Sequence, residues 1–575
     1  MTRPETASTD TREIGDDPSN MPIFNNIRAT HAPPEIPACV LQLYYGSSSN
    51  FSFLQHLHSH LSTERPQAGQ SEGQNDEVQD GEAGIDTYKY RGIVFDNVSD
   101  PRQPAPLFLR YSLAKSFLDK YLTTVHCFIP CLDAEQLTAN FEQLYGTANP
   151  GHVGIAEKAL VVIAMAMGAR STEHDYWRKT LLKQARTEAE QLLYVVNMKA
   201  VQVSLLLAHC EFGAGHPNAS HICLGNAVTK SLAAGLHREG SAPHRSNNTR
   251  SEASSTMWNL FVHESINCFV LGRPYMLSRD DIGIPAPERP SAMGAIVRLC
   301  MIIRRTHQMY NRHDTSINAG LRSAYSIRHS LLKFSATVKE DLNITIGGTP
   351  DYTNREILLW HVIYSYLYYY TMLLAFRPFL LLYVQLKKRA EMERDEERQK
   401  YFSKESLLFE AGEYCISAAK STVLFAELLI SSDINLQALC NHGFFLETAC
   451  FVLVMAAIHD KRSSNQHIAY ISRGLDTLRK LIQREPIRSI VSALEQMLQK
   501  VKAAVPQKPQ VTELPVAQES REDVVRNQHH PEESWIELRQ PFMSHNPPPD
   551  FEASGEPVTG AEDNSLDTSW PTIDW

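Results

Sequence analysis

The sequence predicts an all-α fold, and three observations carry that expectation. Apolar residues recur at three- and four-residue spacing, as in Leu109, Leu113, Phe117, Leu118, Tyr121 and Leu122. Runs such as Gly154–Ala169 are apolar nearly all round, as a central helix requires. No pair of apolar runs is joined by an Asn-Gly or Asp-Gly turn, so no strand pairs are expected, and no fixed-period repeat occurs.

At 575 residues the chain is long enough for one large core or two, and 43% hydrophobic residues suit a globular protein. A net charge of −10 gives the molecule as a whole no pull toward phosphate backbones. Ten cysteines sit mostly inside apolar helical patterns, as buried free thiols do in a reducing compartment. The first residues are polar and acidic, without an apolar signal core. Ala159–Ala169 is too short to span a bilayer. Ile357–Phe376 is long enough but carries five Tyr, His361 and Ser365, so a buried helix is expected and no membrane partner.

Taken in order, residues 1–38 are expected to be disordered, being rich in Pro, Thr, Asp and Asn. Residues 39–62 form a short pre-domain segment with a helix capped by Ser47, Ser48 or Ser49. Residues 63–106 read as a linker, and 107–505 as the helical domain. Within it the first helix runs from about 107 to 125, and Asp133 with Gln136 forms a capping box for the next. Helices follow at 154–169, 181–196 and 198–212, with Gly213 and Gly215 as breakers. Leu224, Val228, Leu232 and Leu236 mark the face of another helix. Gly235 stands near its end, and His237 and Arg238 suit the negative pole. Residues 247–255 are polar and loop-like. Further helices are expected at about 291–313, 317–344, 353–376, 404–430, 438–459 and 465–480. Residues 506–575 are an acidic tail in which Trp535, Phe542, Phe551, Trp570 and Trp575 are set among carboxylates. That is a composition that builds no core but can present aromatics to a partner groove.

The stretch from Val201 to Pro285 carries the most specific pattern. Two apolar helices and a third containing Trp258 are punctuated by Gly-Leu-His-Arg at 235–238 and Gly-Arg-Pro at 272–274, with Asp280 and Asp281 before Pro285. This order closely resembles the regulatory middle homology domain of fungal-specific transcription factors. The opening motif YLTTVHCFIP, the AMGAR helix end and the late TMLLAFRPFLL element resemble that family too. Family members usually carry paired Arg and paired Trp at the start of the Trp helix, and an Asp one turn before Gly-Arg-Pro. Here Asn259 follows the single Trp258, and Glu264 stands in the place of the Asp.

The resemblance implies a large multi-helix regulatory domain and a non-enzymatic regulator in the nucleus, controlling a metabolic or secondary-metabolite gene cluster. It implies a homo- or heterodimer with a related factor, and activation through coactivators that bind the acidic tail. An effector pocket is expected around Trp258, Glu264, Arg273, Tyr366 and Arg377. Gly235, His237, Arg238, Gly272, Pro274 and Pro378 are expected to shape turns and helix ends, and Arg273 to pair with an acidic group such as Glu264 or Asp280 or to cap carbonyls at the helix end. The zinc cluster of the family needs two Cys-x2-Cys-x6-Cys half-motifs, and no Cys-x2-Cys occurs. No cofactor is therefore expected in this chain, zinc entering only with an upstream cysteine cluster. Promoter DNA is reached through a partner or a missing N-terminal domain. His126-Cys127-x3-Cys131 offers three ligands and no fourth, and His56 with His60 shares one helix face. The alternative is a helical enzyme or small-molecule-binding protein of a biosynthetic pathway. Against the enzyme, Asp280 and Asp281 lack the further carboxylate a diphosphate-binding helix needs, and no P-loop or nucleophile elbow is present.

Overall fold

The computed structural model describes residues 26–31, 41–62, 78–80, 82–94, 109–145, 153–238, 247–310, 316–392, 395–432, 442–460 and 463–504. All lie in one compact unit, Met1–Thr512. The acidic tail, with Trp535, Phe542, Phe551, Trp570 and Trp575, lies outside the described residues.

Helices build nearly all of it, as predicted. The first are α1 (Asn50–Leu61), α2 (Glu82–Thr87), α3 (Arg91–Val94), α4 (Tyr111–Leu122), α5 (Ala134–Tyr145) and α6 (Ile155–Arg170). Next come α7 (Asp175–Glu190), α8 (Met198–Ala214), α9 (Pro217–Ala233), α10 (Asn247–Leu271), α11 (Ala292–Tyr310) and α12 (Ile317–Leu342). The last are α13 (Arg355–Met392), α14 (Asp395–Ser432), α15 (His442–His459), α16 (Ser464–Lys480) and α17 (Ile487–Ala504). The central α6 packs against α4, α7 and α8, while α9 and α10 close over α8. In the C-terminal half α13 lies along α14, and α15 is held between α14, α16 and α17.

Three strands were not expected. β1 (Asn26–His31) pairs antiparallel with β2 (Leu41–Tyr45) and parallel with β3 (Val78–Asp80), in the order β2-β1-β3. Thus part of the 1–38 stretch predicted to be disordered is a strand, and part of the 63–106 linker forms β3, α2 and α3. The strands have three to six residues, too few for a period-two signal. Their partners are also distant in sequence: Ile27 faces Tyr45 on one side and Gln79 on the other.

Helix ends follow local chemistry, with instructive departures. Ser49 caps α1, its Oγ accepting from Ser52 N at 3.1 Å. Asp133 caps α5 by accepting from Glu135 N and Gln136 N. The Gln136 side chain instead donates to Asn140, so only half of the capping box forms. Asn197 caps α8, whose end is the left-handed Gly215 (φ 87°) rather than Gly213. The polar stretch 247–255, expected to be a loop, is the first part of α10. Glu252 there accepts from Lys199 and Gln202, which gives the polar face its purpose.

The largest departure is α13, which continues through Pro378 instead of stopping at 376. Proline removes the N–H that would bond the carbonyl four residues back, leaving the Leu374 oxygen without its helical partner. Tyr310 on α11 supplies the replacement, its buried hydroxyl donating to Leu374 O at 2.6 Å. Among the described residues three segments, in α13, α14 and α15, are long and apolar enough to cross a membrane by length and composition. Between 72% and 89% of these windows is buried inside the protein, so packing consumes their apolar surface.

Candidate functional site

The Gly-Arg-Pro turn is where the N-terminal segment joins the helical domain. Gly272 has φ 66°, a left-handed conformation that suits glycine. Gly46, in the strap after β2, lies directly against it. A Cβ on Gly46 would meet Gly272 O at 2.0 Å, and one on Gly272 would meet Gly46 Cα at 2.5 Å. Contact at that range needs two residues without side chains. Around it Gly46 N donates to Leu271 O at 3.0 Å, and Ser48 Oγ to Phe269 O at 3.0 Å.

Two arginines fasten the strap further. Arg273 Nε donates to Tyr44 O at 3.0 Å and Nη2 to Asn218 Oδ1, and its guanidinium lies over the Tyr45 ring. Arg377, 1% exposed, donates from Nη2 to Ser47 O at 2.9 Å and packs over Phe53. Asn50 at the start of α1 donates to Glu447 and Thr448 on α15.

Glu264, expected to serve Arg273, is the partner of Arg304 instead. Its carboxylate accepts from Arg304 Nη2 and from Met276 N, and the side chain is fully buried. Arg304 also donates to Ser265 Oγ and Leu277 O, between the rings of Phe261 and Tyr275. Burial pushes the Glu264 carboxyl above its ordinary value and Arg304 opposes that shift. The pair fastens α10, α11 and the loop after Pro274 together, which is a structural use. Asp280 and Asp281 are exposed and close short turns with Ser278.

Trp258 is 1% exposed; its indole donates to Pro285 O at 2.9 Å, with Arg279 over its ring. Gly283 N donates to His237 O at 2.8 Å, so the loop after Gly-Arg-Pro is stitched to the Gly-Leu-His-Arg turn. Gly235 there has φ 68°, and Arg238 is exposed. The predicted pocket residues are therefore not one pocket. Tyr366 lines one of the two cavities described below, while Trp258, Glu264, Arg273 and Arg377 secure turns and the strap.

Two cavities lie between α8, α10 and α15, the second reaching α13. One, of about 160 Å³, is bounded by Phe51, Tyr90, Glu447 and Pro486 among others. The second, of about 130 Å³, is walled by Phe128, Leu224, Tyr366 and Phe445, with His209 and His263 facing in. Arg170, Phe212, Gly213, Val270 and Phe444 belong to both walls. The His209 and His263 rings sit 5.2 Å apart, and burial pushes both well down, His263 to about 4, so both are neutral near pH 7. Burial also raises the Glu447 carboxyl to about 7, with hydrogen bonds from Tyr90 and Asn50 opposing.

None of Arg304, Asn50, Glu447, Arg170, His209 or His263 was expected as a site residue. Each stands in or beside an apolar run, where a lone polar residue is the available signal. Among the described residues no group of three or more His, Cys, Asp and Glu could hold a metal ion. His126 bonds Leu132 O, and His60 meets His459 at 3.2 Å rather than His56.

Residues 118–294 match the family described as fungal specific transcription factor domain. The match runs from α4 into α11 and takes in both turns and the Trp258 helix. The zinc finger protein grt1 of Schizosaccharomyces pombe is 24% identical over 450 residues, covering 72% of this chain and 66% of that protein. The matched part thus falls just short of two thirds of the relative's length.

Proposed function

We propose, on the premise that residues 118–294 are a fungal specific transcription factor domain, that the chain is a transcriptional regulator acting in the nucleus, not an enzyme. The single observation that carries this is the domain match itself, joined to a relative named as a zinc finger protein. The wiring of the strap supports a mechanical role: the domain holds residues 41–62 in one orientation through Gly46, Arg273 and Arg377. Whatever precedes the strap is thereby placed relative to the helices.

In the finer form of this proposal the protein activates genes of a metabolic or secondary-metabolite cluster. Coactivators bind the acidic aromatic tail 506–575, and DNA is reached through a dimer with a related factor or through a segment upstream. The zinc of the grt1 relative's name enters only by that second route, since no Cys-x2-Cys pair stands in this chain.

Fusing the whole chain, and the chain cut after 505, to a heterologous DNA-binding domain tests this in a fungal reporter strain. Activation that is lost with the tail is the expected result. A silent full-length fusion that reaches the nucleus sinks the activator version, and turnover of a prenyl diphosphate by the purified protein overturns the regulator proposal.

A further inference from the structure

The second cavity sets two polar side chains that no protein group satisfies into an otherwise apolar wall. His209 on α8 and His263 on α10 both face it, with ring centroids 5.2 Å apart and ring planes at 81°. Among the described residues neither imidazole takes part in a hydrogen bond. Tyr366, Asn267 and Ser220 on the same wall are engaged with protein. The Tyr366 hydroxyl meets His442 Nδ1 at 2.7 Å, and Asn267 donates to Ser220 Oγ at 3.1 Å and meets His221 Nδ1 at 3.3 Å. Arg170 also borders the space, and its charge adds to burial in keeping His209 unprotonated. Two neutral imidazoles therefore offer the chamber one nitrogen acceptor and one N–H donor each.

Size and wall narrow what meets them. The chamber measures about 130 Å³, close to the apolar cavity of about 150 Å³ that takes one benzene ring. Tyr366 and Phe445 stack on its wall with centroids 4.7 Å apart and planes 5° apart, and Phe128 and Phe212 add further rings. Water alone suits it poorly: the volume holds about four molecules at about 30 Å³ each, and each needs two to four polar partners. A plain hydrocarbon ring suits the aromatics but leaves both imidazoles unpaired, which is costly for buried polar groups. A charged ligand sheds its hydration on entry at far greater cost than a hydroxyl does. A ring that bears a hydroxyl meets both demands. Its O–H donates to an imidazole nitrogen, and its oxygen accepts from an imidazole N–H.

We propose that this chamber binds an uncharged monocyclic phenol, its ring against Tyr366 and Phe445 and its hydroxyl between His209 and His263. The walls come from α8, α9 and α10, inside the family match, and from α13 and α15 beyond it. A bound phenol thereby ties these two parts of the domain together, and should raise the melting temperature of the chain. The binding claim is independent of the regulator proposal, because it is read on purified protein without DNA.

The test is a ligand-observed fluorine NMR titration of the full chain with 4-fluorophenol, 4-fluorotoluene and 4-fluorobenzoate. The phenol is expected to bind at least about tenfold more tightly than the toluene, because a site arranged around a hydroxyl penalises its absence. The benzoate is expected to bind more weakly than the phenol. Replacing both imidazoles, by His209→Leu together with His263→Leu, should remove the preference for the phenol while the toluene binds at least as well as before. A merely structural role for the two histidines would weaken both ligands alike. Binding of the toluene as tightly as the phenol by the unmodified protein overturns the proposal. So does the absence of any binding, which leaves the chamber to water. A benzoate that binds more tightly than the phenol overturns it too, as does a double variant that still prefers the phenol. Should the double variant fail to fold, the ranking of the three ligands on the unmodified protein decides alone. A negative result here leaves the reporter assay untouched, and a silent reporter leaves this titration untouched.

Discussion

The seam between the strap and the Gly-Arg-Pro turn and the packed layer of α13 and α14 are both buried, yet they hold by different means. In the layer, Phe376 is fully buried against Tyr325 of α12 and Tyr414 of α14, one of many apolar side chains sharing the load. At the seam, two glycines touch backbone to backbone, and a few named hydrogen bonds from Ser48, Arg273 and Arg377 do the fastening. Area-based packing spreads its tolerance over many residues, whereas a backbone contact depends on two. The difference predicts where a substitution is felt: globally in the layer, locally at the seam.

The largest effect should come from the layer. Phe376→Ala is expected to cost about 4 kcal/mol by loss of transfer energy and an unfilled cavity, seen as an earlier urea midpoint for the whole domain. Gly272→Ala should cost about 3 kcal/mol, combining about 1 for a left-handed alanine with about 2 for crowding Gly46. Its signature is loss of hydrogen-exchange protection at Gly46 N and in α1 while α13 stays protected. If Gly272→Ala melts the whole domain and Phe376→Ala frays only one helix, the distinction between the regions collapses.

A smaller effect separates proline tolerance from simple packing. Tyr310→Phe keeps the ring but leaves the buried Leu374 carbonyl without its donor, at a cost of about 2 kcal/mol. Exchange should quicken at the amides flanking Pro378 within α13. An unchanged Tyr310→Phe protein would mean that burial alone carries the helix past the proline.

This last case shows where the sequence was legible and where it was not. Helical periodicity and the caps at Ser49 and Asp133 were readable because each is local, a residue and the next three or four. The course of α13 past Pro378 was hidden, since the proline is in the sequence while its remedy, Tyr310, comes from 68 residues away. The strands failed for the same reason: Ile27 needs Tyr45 and Gln79. In the site, Gly272 and Arg273 were found from their motif, but the acidic partner offered for Arg273 is not the one it takes: it donates to Tyr44 O and Asn218. Glu264 stands nine residues from Arg273 in sequence, yet its charge is claimed by Arg304 on the next helix. Helix α17 was legible and overlooked: Ile490, Ala493, Leu494, Met497, Leu498 and Val501 make a regular buried stripe.

The finest distinction between the regions is electrostatic, and pH draws it out. Glu447, where α15 meets the strap, has its carboxyl raised by burial from 4.5 to about 7. The fold therefore favours its protonated form. Its contribution is fully present below pH 4.5 and is lost as pH rises through 7. Buried imidazoles run the other way. Burial lowers His56, His263, His307 and His361 from 6.5 to about 4, so their contribution is intact above 6.5 and lost as pH falls toward 4. Four such groups outweigh one carboxyl, and the unmodified protein should lose stability on acidification from pH 6.5 to 4. Glu447→Gln isolates the opposing contribution. Near pH 4.5 the two proteins should melt alike, because the carboxyl is then neutral, as the amide is. Above pH 7 the variant should be the more stable, by about 1 kcal/mol. That net is small because the uncharged amide gives up the stronger, charge-assisted bonds from Tyr90 and Asn50. Asn50 Oδ1, buried without a hydrogen-bond partner, could accept from the new amide and recover part of that loss. Melting temperatures of both proteins across pH 4.5 to 8 give the sign directly. A difference that shrinks as pH rises would place the charged carboxylate, not the neutral acid, at the contact between α15 and the strap.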